Sequence, residues 1–96
     1  MTPNYKDFPK SDARRYLVVL FALERLKERA TLHYIAQDVA CARSEVQRAI
    51  EIAQVQLGVE IEKDGSVYKI ASWGILRRQA ALAHVMRGTD ENSAYM

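Results

Sequence analysis

TLHYIAQDVACARSEVQRAIEIAQVQLGVEIEKDGSVYKI, residues 31–70, decides how this chain folds. Leu32, Ile35, Ala36 and Val39 recur at the spacing of one buried helix face, with Thr31 placed to begin the helix. Cys41 and Ala42 then make a turn. From about Arg43, a second helix carries Val46, Ala49, Ile50, Ala53 and Leu57 on one stripe, which turns Ser44, Gln47, Arg48 and Glu51 the other way. Gly58, free to take positive φ, ends it. Two alternating strands follow around Asp64-Gly65. With that dipeptide as a two-residue loop, Lys63 pairs with Ser66, Ile61 with Tyr68, Val59 with Ile70 and Glu60 with Lys69, so one hairpin face is apolar.

Upstream, Pro3 and Pro9 lie in a polar stretch without helical pattern, and residues 1–10 read as a flexible arm. Ser11 or Asp12 can cap a helix running from about Ala13 to Arg29. Its centre, YLVVLFAL at 16–23, is apolar at every position, so it needs cover on more than one side. Tyr16, Leu17, Leu20 and Leu23 form an inner stripe. Val18 and Ala22 face away, to be covered either by the C-terminal helix or by a second subunit. Downstream of Trp73 and Gly74, a last helix from Ile75 to Arg87 shows Ile75, Leu76, Ala80, Leu82, Ala83 and Met86 as its apolar face. Val18, Ala22, Leu82 and Met86 are the candidate dimer-interface residues. Gly88 ends that helix, and residues 89–96 read as a disordered tail.

A chain of 96 residues carries one modest core, here residues 11–88. No apolar run reaches the roughly 18 residues of a membrane span, and the first residues lack the apolar stretch of a secretory signal, which points to the cytoplasm. Cys41 is the single cysteine, so no disulfide or thiolate cluster forms within one chain, and a packed thiol is expected there. His33 and His84 fall on separate helices, without the spacing of a metal site or of a nucleophile and its base. An enzyme, a metal and a cofactor are therefore not expected. The net charge of +2 is unevenly spread. Lys and Arg outnumber Asp and Glu by seven to four over residues 1–30, but are outnumbered three to two over 31–58 and again over 59–73.

Residues 31–70 resemble the winged helix-turn-helix domains of bacterial transcription regulators, of the deoxyribose-operon-repressor and biotin-repressor type. The matching residues are Ile35-Ala36, Arg43, Val46-Gln47-Arg48, Ile50, Gly58 and Tyr68-Lys69-Ile70. Departures are Ala42, where that pattern has a capping Ser or Thr, Ala40 in place of a turn Gly, and the carboxylates Glu45, Glu51, Glu60, Glu62 and Asp64. The resemblance implies a mainly α fold with a small β-hairpin: a three-helix core, a wing at 59–71 and an extra C-terminal helix. It further implies a homodimeric, sequence-specific regulator of transcription that places helix 43–57 in the major groove of double-stranded DNA. Arg43, Ser44, Gln47 and Arg48 would read bases, since Arg pairs bidentately with guanine and Gln with adenine. Lys63 at the wing tip, with Arg14 and Arg15, would hold phosphates. The acidic head and the excess of apolar surface on the first helix suit a different use, as a protein-interaction module of a small regulatory or phage-type accessory protein.

Overall fold

The computed structural model describes residues 4–10, 12–74 and 77–94, with side chains to residue 86. A 3-10 turn at Tyr5–Asp7 precedes α1 (Arg14–Leu26), a second turn at Lys27–Arg29, α2 (Leu32–Val39) and α3 (Arg43–Leu57). Strands β1 (Glu60–Asp64) and β2 (Val67–Ser72) follow, and then α4 (Arg78–Ala94). Among the described residues no helix is long and apolar enough to cross a membrane.

α1 is the centre of the molecule. Leu17 through Leu23 are all buried, because α2, α3, α4, β2 and the N-terminal turn pack around this one helix. This enclosure explains a segment that is apolar on every side. Val18 is 2% exposed and Ala22 0% exposed within the single chain, so neither is available to a partner. Of the four expected interface residues only Leu82, half-buried, and Met86, 39% exposed, retain accessible surface.

α1 stops at Leu26 rather than continuing to Arg29, because Lys27 takes φ 52° and turns the chain. The turn brings Ala30 beside β2, where the carbonyl of Ala30 accepts from the Tyr68 N–H at 2.8 Å. α2 begins on Thr31, whose hydroxyl accepts from the Tyr34 N–H, and ends on Ala40 in the left-handed region at φ 58°. α3 starts after Ala42, which offers no side-chain cap. Val46, Ala49, Ile50 and Ala53 are buried, and the helix stops at Gly58, φ 68°, as the sequence predicts.

The hairpin register differs from the expected one. Asp64 pairs with Val67, Lys63 with Tyr68, Glu62 with Lys69 and Ile61 with Ile70, with an irregularity beyond Ile61 that sets Glu60 opposite Ser72. The loop is therefore Gly65-Ser66. Gly65 has φ +62° and Ser66 does not have positive φ, the pattern of a turn that requires glycine at its first central position. The Gln54 side chain donates to the Ile61 carbonyl at 3.2 Å and ties the base of the hairpin to α3.

Two expectations at the termini are also corrected. The N-terminal stretch is not a loose arm: Tyr5 and Phe8 are 5% and 3% exposed. Arg15 holds them, its guanidinium 4.7 Å from the Tyr5 ring centroid and its Nε donating to the Phe8 carbonyl at 2.7 Å. α4 runs to Ala94 rather than ending at Gly88, since one glycine inside a helix costs only about 1 kcal/mol. Among its described side chains Ala81 and Val85 are buried and Ala80 and Ala83 exposed, so the larger Val85 turns toward α1. Ile75, Leu76 and the possible cap Ser11 lie outside the described residues.

Candidate nucleic-acid interface

α3 packs its apolar stripe against α1 and α2, which leaves its opposite side in solvent. Arg43, Ser44, Gln47 and Arg48 are all exposed there. Among the described residues Ser44, Gln47 and Arg48 make no side-chain hydrogen bond or ion pair, so their donors and acceptors are open to a ligand. Arg43 differs: its Nη2 donates to His33 Nδ1 at 2.9 Å, which places the proton of a neutral His33 on Nε2.

That contact extends the surface across the turn to α2, and the extension was not foreseen from sequence. The His33 ring meets Tyr34 edge-on, with centroids 5.2 Å apart. The Arg29 guanidinium sits 4.9 Å from the Tyr34 centroid. Arg29, Tyr34, His33 and Arg43 thus form a continuous cationic and aromatic strip beside the exposed face of α3. Its sequence signal was weak but present: His33 and Tyr34 are the two residues of LHYI that fall off the apolar spacing.

The expected phosphate contacts are distributed differently. Arg14 and Arg15 are committed elsewhere: Arg14 Nε donates to Asp12 at 2.9 Å and its guanidinium lies 4.9 Å from the Phe8 centroid, while Arg15 secures the N-terminal turn. The Arg14 hydrogen bonds hold the Asp12 carboxyl below the usual carboxylate range. Lys63 is exposed two residues before the loop, with Nζ 5.4 Å from the centroid of Tyr68, its cross-strand partner.

Charge at the helix junction is mixed. Glu45 is half-buried and Glu51 exposed, and both place carboxylates on α3. Cys41, half-buried in the turn, has its thiol pushed up to about 11, first by burial and then by the neighbouring Glu45 carboxylate. It is a protonated, packed thiol at neutral pH. Burial likewise raises the Tyr5 phenol above its ordinary value, against the lowering effect of Arg15. Trp73 packs on Phe21 of α1, with ring centroids 5.2 Å apart, rather than standing free to stack on a base. His84 is exposed on α4, and no group of three His, Cys, Asp or Glu side chains among the described residues is placed to hold a metal ion. Comparison of the chain with known protein families, with curated proteins and with solved structures finds no match to any of them.

Proposed function

We propose that this chain is a winged helix-turn-helix module that binds double-stranded DNA sequence-specifically and regulates transcription in the cytoplasm. The observation that carries the reading is the outer face of α3, where Ser44, Gln47 and Arg48 are exposed beside Arg43 and, among the described residues, make no side-chain hydrogen bond or ion pair. Helices of about 12 Å diameter fit the major groove, and these four residue types cover guanine, adenine and mixed readout. Arg43 and Arg48 take guanine, Gln47 takes adenine, and Ser44 takes a base edge or a phosphate. Lys63 on the hairpin, with Arg29 and the Tyr34 hydroxyl on the α2 side, takes the phosphates on either flank. A second copy, joined through the accessible side of α4 at Leu82 and Met86, doubles those contacts and offsets the carboxylates of α3.

The test is selection from a random double-stranded DNA pool at low salt, followed by fluorescence anisotropy on the enriched duplex. Arg43→Ala and Arg48→Ala should each weaken the selected duplex roughly 5- to 150-fold, the loss of about 1–3 kcal/mol per bidentate contact. Arg29→Ala should instead weaken all duplexes alike and flatten the salt dependence by about one unit of slope. No enrichment at low salt, or unchanged binding in the Arg43→Ala, Arg48→Ala double variant, refutes the reading. A monomer in sedimentation at high micromolar concentration removes the dimer.

One observation favours the protein-interaction alternative. Val55, on the C-terminal half of α3, is 84% exposed. A partner that buries Val55 would be released by Val55→Lys, a change outside the four residues assigned to DNA.

A further inference from the structure

A half-open groove of about 690 Å³ lies between the end of α1 and the hairpin. It shares no residue with the exposed α3 face. Leu23, Val67, Tyr68, Ile70 and Trp73 give it an apolar lining, and Glu24, Glu28, Glu62, Asp64, Lys27 and Lys69 supply its charged groups. We propose that this groove binds a small organic monocation: a single ammonium or amidinium group carried on an apolar body.

Size, lining and charge each narrow the occupant. The volume falls in the range of roughly 300–1,000 Å³ that encloses a small molecule, and the hydrophobic and aromatic walls suit an apolar body. Four carboxylates face two ammonium groups. One of the four is already compensated, because Arg78 clamps Glu24 with its Nε 2.8 Å from each carboxylate oxygen. One negative charge is left in excess. Among the described residues Glu28, Glu62 and Asp64 make no ion pair, so their oxygens are open acceptors. Lys63, the nearest further cation on the strands, is drawn over the Tyr68 ring and does not line the groove. An anion would meet that excess charge, and a dication would exceed it. A single cation that donates charge-assisted hydrogen bonds to two or three carboxylates, with its carbon body against Trp73 and Ile70, satisfies both halves of the site.

Trp73 is the single tryptophan of the chain and lines the groove, so its emission reports occupancy directly. The experiment titrates the intact chain with 4-phenylbutylammonium, with the neutral 4-phenylbutanol and with the anionic 5-phenylpentanoate, following Trp73 fluorescence at low salt. The ammonium should give a saturable change at submillimolar concentration. The alcohol should bind at least tenfold more weakly, and the carboxylate should give no saturable change. The triple variant Glu28→Gln, Glu62→Gln, Asp64→Asn should lose at least tenfold for the ammonium and none for the alcohol; all three side chains are exposed, so the fold is retained. Arg48→Ala should bind the ammonium as the unaltered chain does. Equal response to all three probes, no saturation by the ammonium, or unchanged ammonium binding in the triple variant overturns the proposal. So does a Lys-rich helical peptide that binds the groove and is not displaced by the ammonium.

Discussion

Gly74→Ala separates two effects that glycine substitutions usually mix. Gly58, Gly65 and Gly74 all have positive φ, at +68°, +62° and +62°. An alanine in that region costs about 1 kcal/mol or slightly more, through the contact of its own Cβ with the following carbonyl. Gly58 and Gly65 have nothing within 4 Å of an added Cβ, so Gly58→Ala and Gly65→Ala should cost only that. At Gly74 the added Cβ falls 2.0 Å from the carbonyl oxygen of Gly58 and 2.5 Å from its carbon. Ordinary contact begins at 3.4 Å, so the backbones must separate by more than an ångström. The obstacle is also poorly placed to yield. The Gly58 and Val59 N–H groups both donate to the Ala53 carbonyl, fixing the end of α3 where Gly74 presses on it. Forcing atoms into a packed site costs about 1–3 kcal/mol, which brings Gly74→Ala to about 2–4 kcal/mol in total. Urea unfolding followed by far-UV circular dichroism reads all three variants against the unaltered chain, and a thermal midpoint drop of roughly 10–25 °C should accompany the Gly74 change. If Gly74→Ala comes within 0.5 kcal/mol of Gly58→Ala, on the order of the error in such comparisons, the close approach of these two backbone segments is refuted.

Three further outcomes follow from named residues. Val18→Glu should lose at least about 3 kcal/mol or fail to fold, because an unpaired carboxylate would enter a site that is 2% exposed; a variant that keeps its urea midpoint but sediments as a smaller species would return Val18 to a subunit interface. Ala40→Gly, at φ 58°, and Ala42→Ser, at an uncapped α3 start, should each raise stability by about 1 kcal/mol, measured singly by urea unfolding. Cys41, with its thiol pushed from near 9.0 to about 11, should react with iodoacetamide at pH 8 roughly 100-fold more slowly in the folded chain than in urea. Because its folded-state value lies above the unfolded one, its contribution to stability is complete below about pH 9 and is lost as the pH rises toward 11; equal alkylation rates in the two states would remove both statements.

The parts legible from sequence were those in which several local signals converge. The stripe of α3 and its stop at Gly58 agree in periodicity and in cap, and the structure reproduces both. The hairpin was legible in its faces but not in its register. Moving the loop from Asp64-Gly65 to Gly65-Ser66 changes every partner, yet both registers leave Ile61, Tyr68 and Ile70 on the same face, so alternation cannot choose between them. Only the turn geometry at Gly65 and the stacking of Lys63 on Tyr68 distinguish them. Tyr5 and Phe8 were illegible because they sit in a patternless stretch, and their burial depends on Arg14 and Arg15, whose charge invited a phosphate reading instead. Val18 and Ala22 show the same limit: a periodicity names a helix face, but which neighbour covers that face is a property of the whole arrangement. Of the candidate site, Ser44, Gln47 and Arg48 were legible as the reverse of an apolar stripe. The strip from Arg29 to Arg43 was not, because it joins three elements across a turn.

The hydrogen bond from Tyr68 to Ala30 has a consequence for how this protein behaves at high concentration. It joins the outer side of β2 to the backbone between α1 and α2, so that among the described residues the side of β1 away from β2 is the more open one, held only at the Ile61 carbonyl by the Gln54 side chain. An unpaired strand side is a template on which another chain can extend the sheet. In this molecule that side belongs to Glu60-Ile61-Glu62-Lys63-Asp64, four charged residues in five. With three carboxylates against one ammonium, that side meets an incoming copy with net negative charge on both strands, which works against extension of the sheet there.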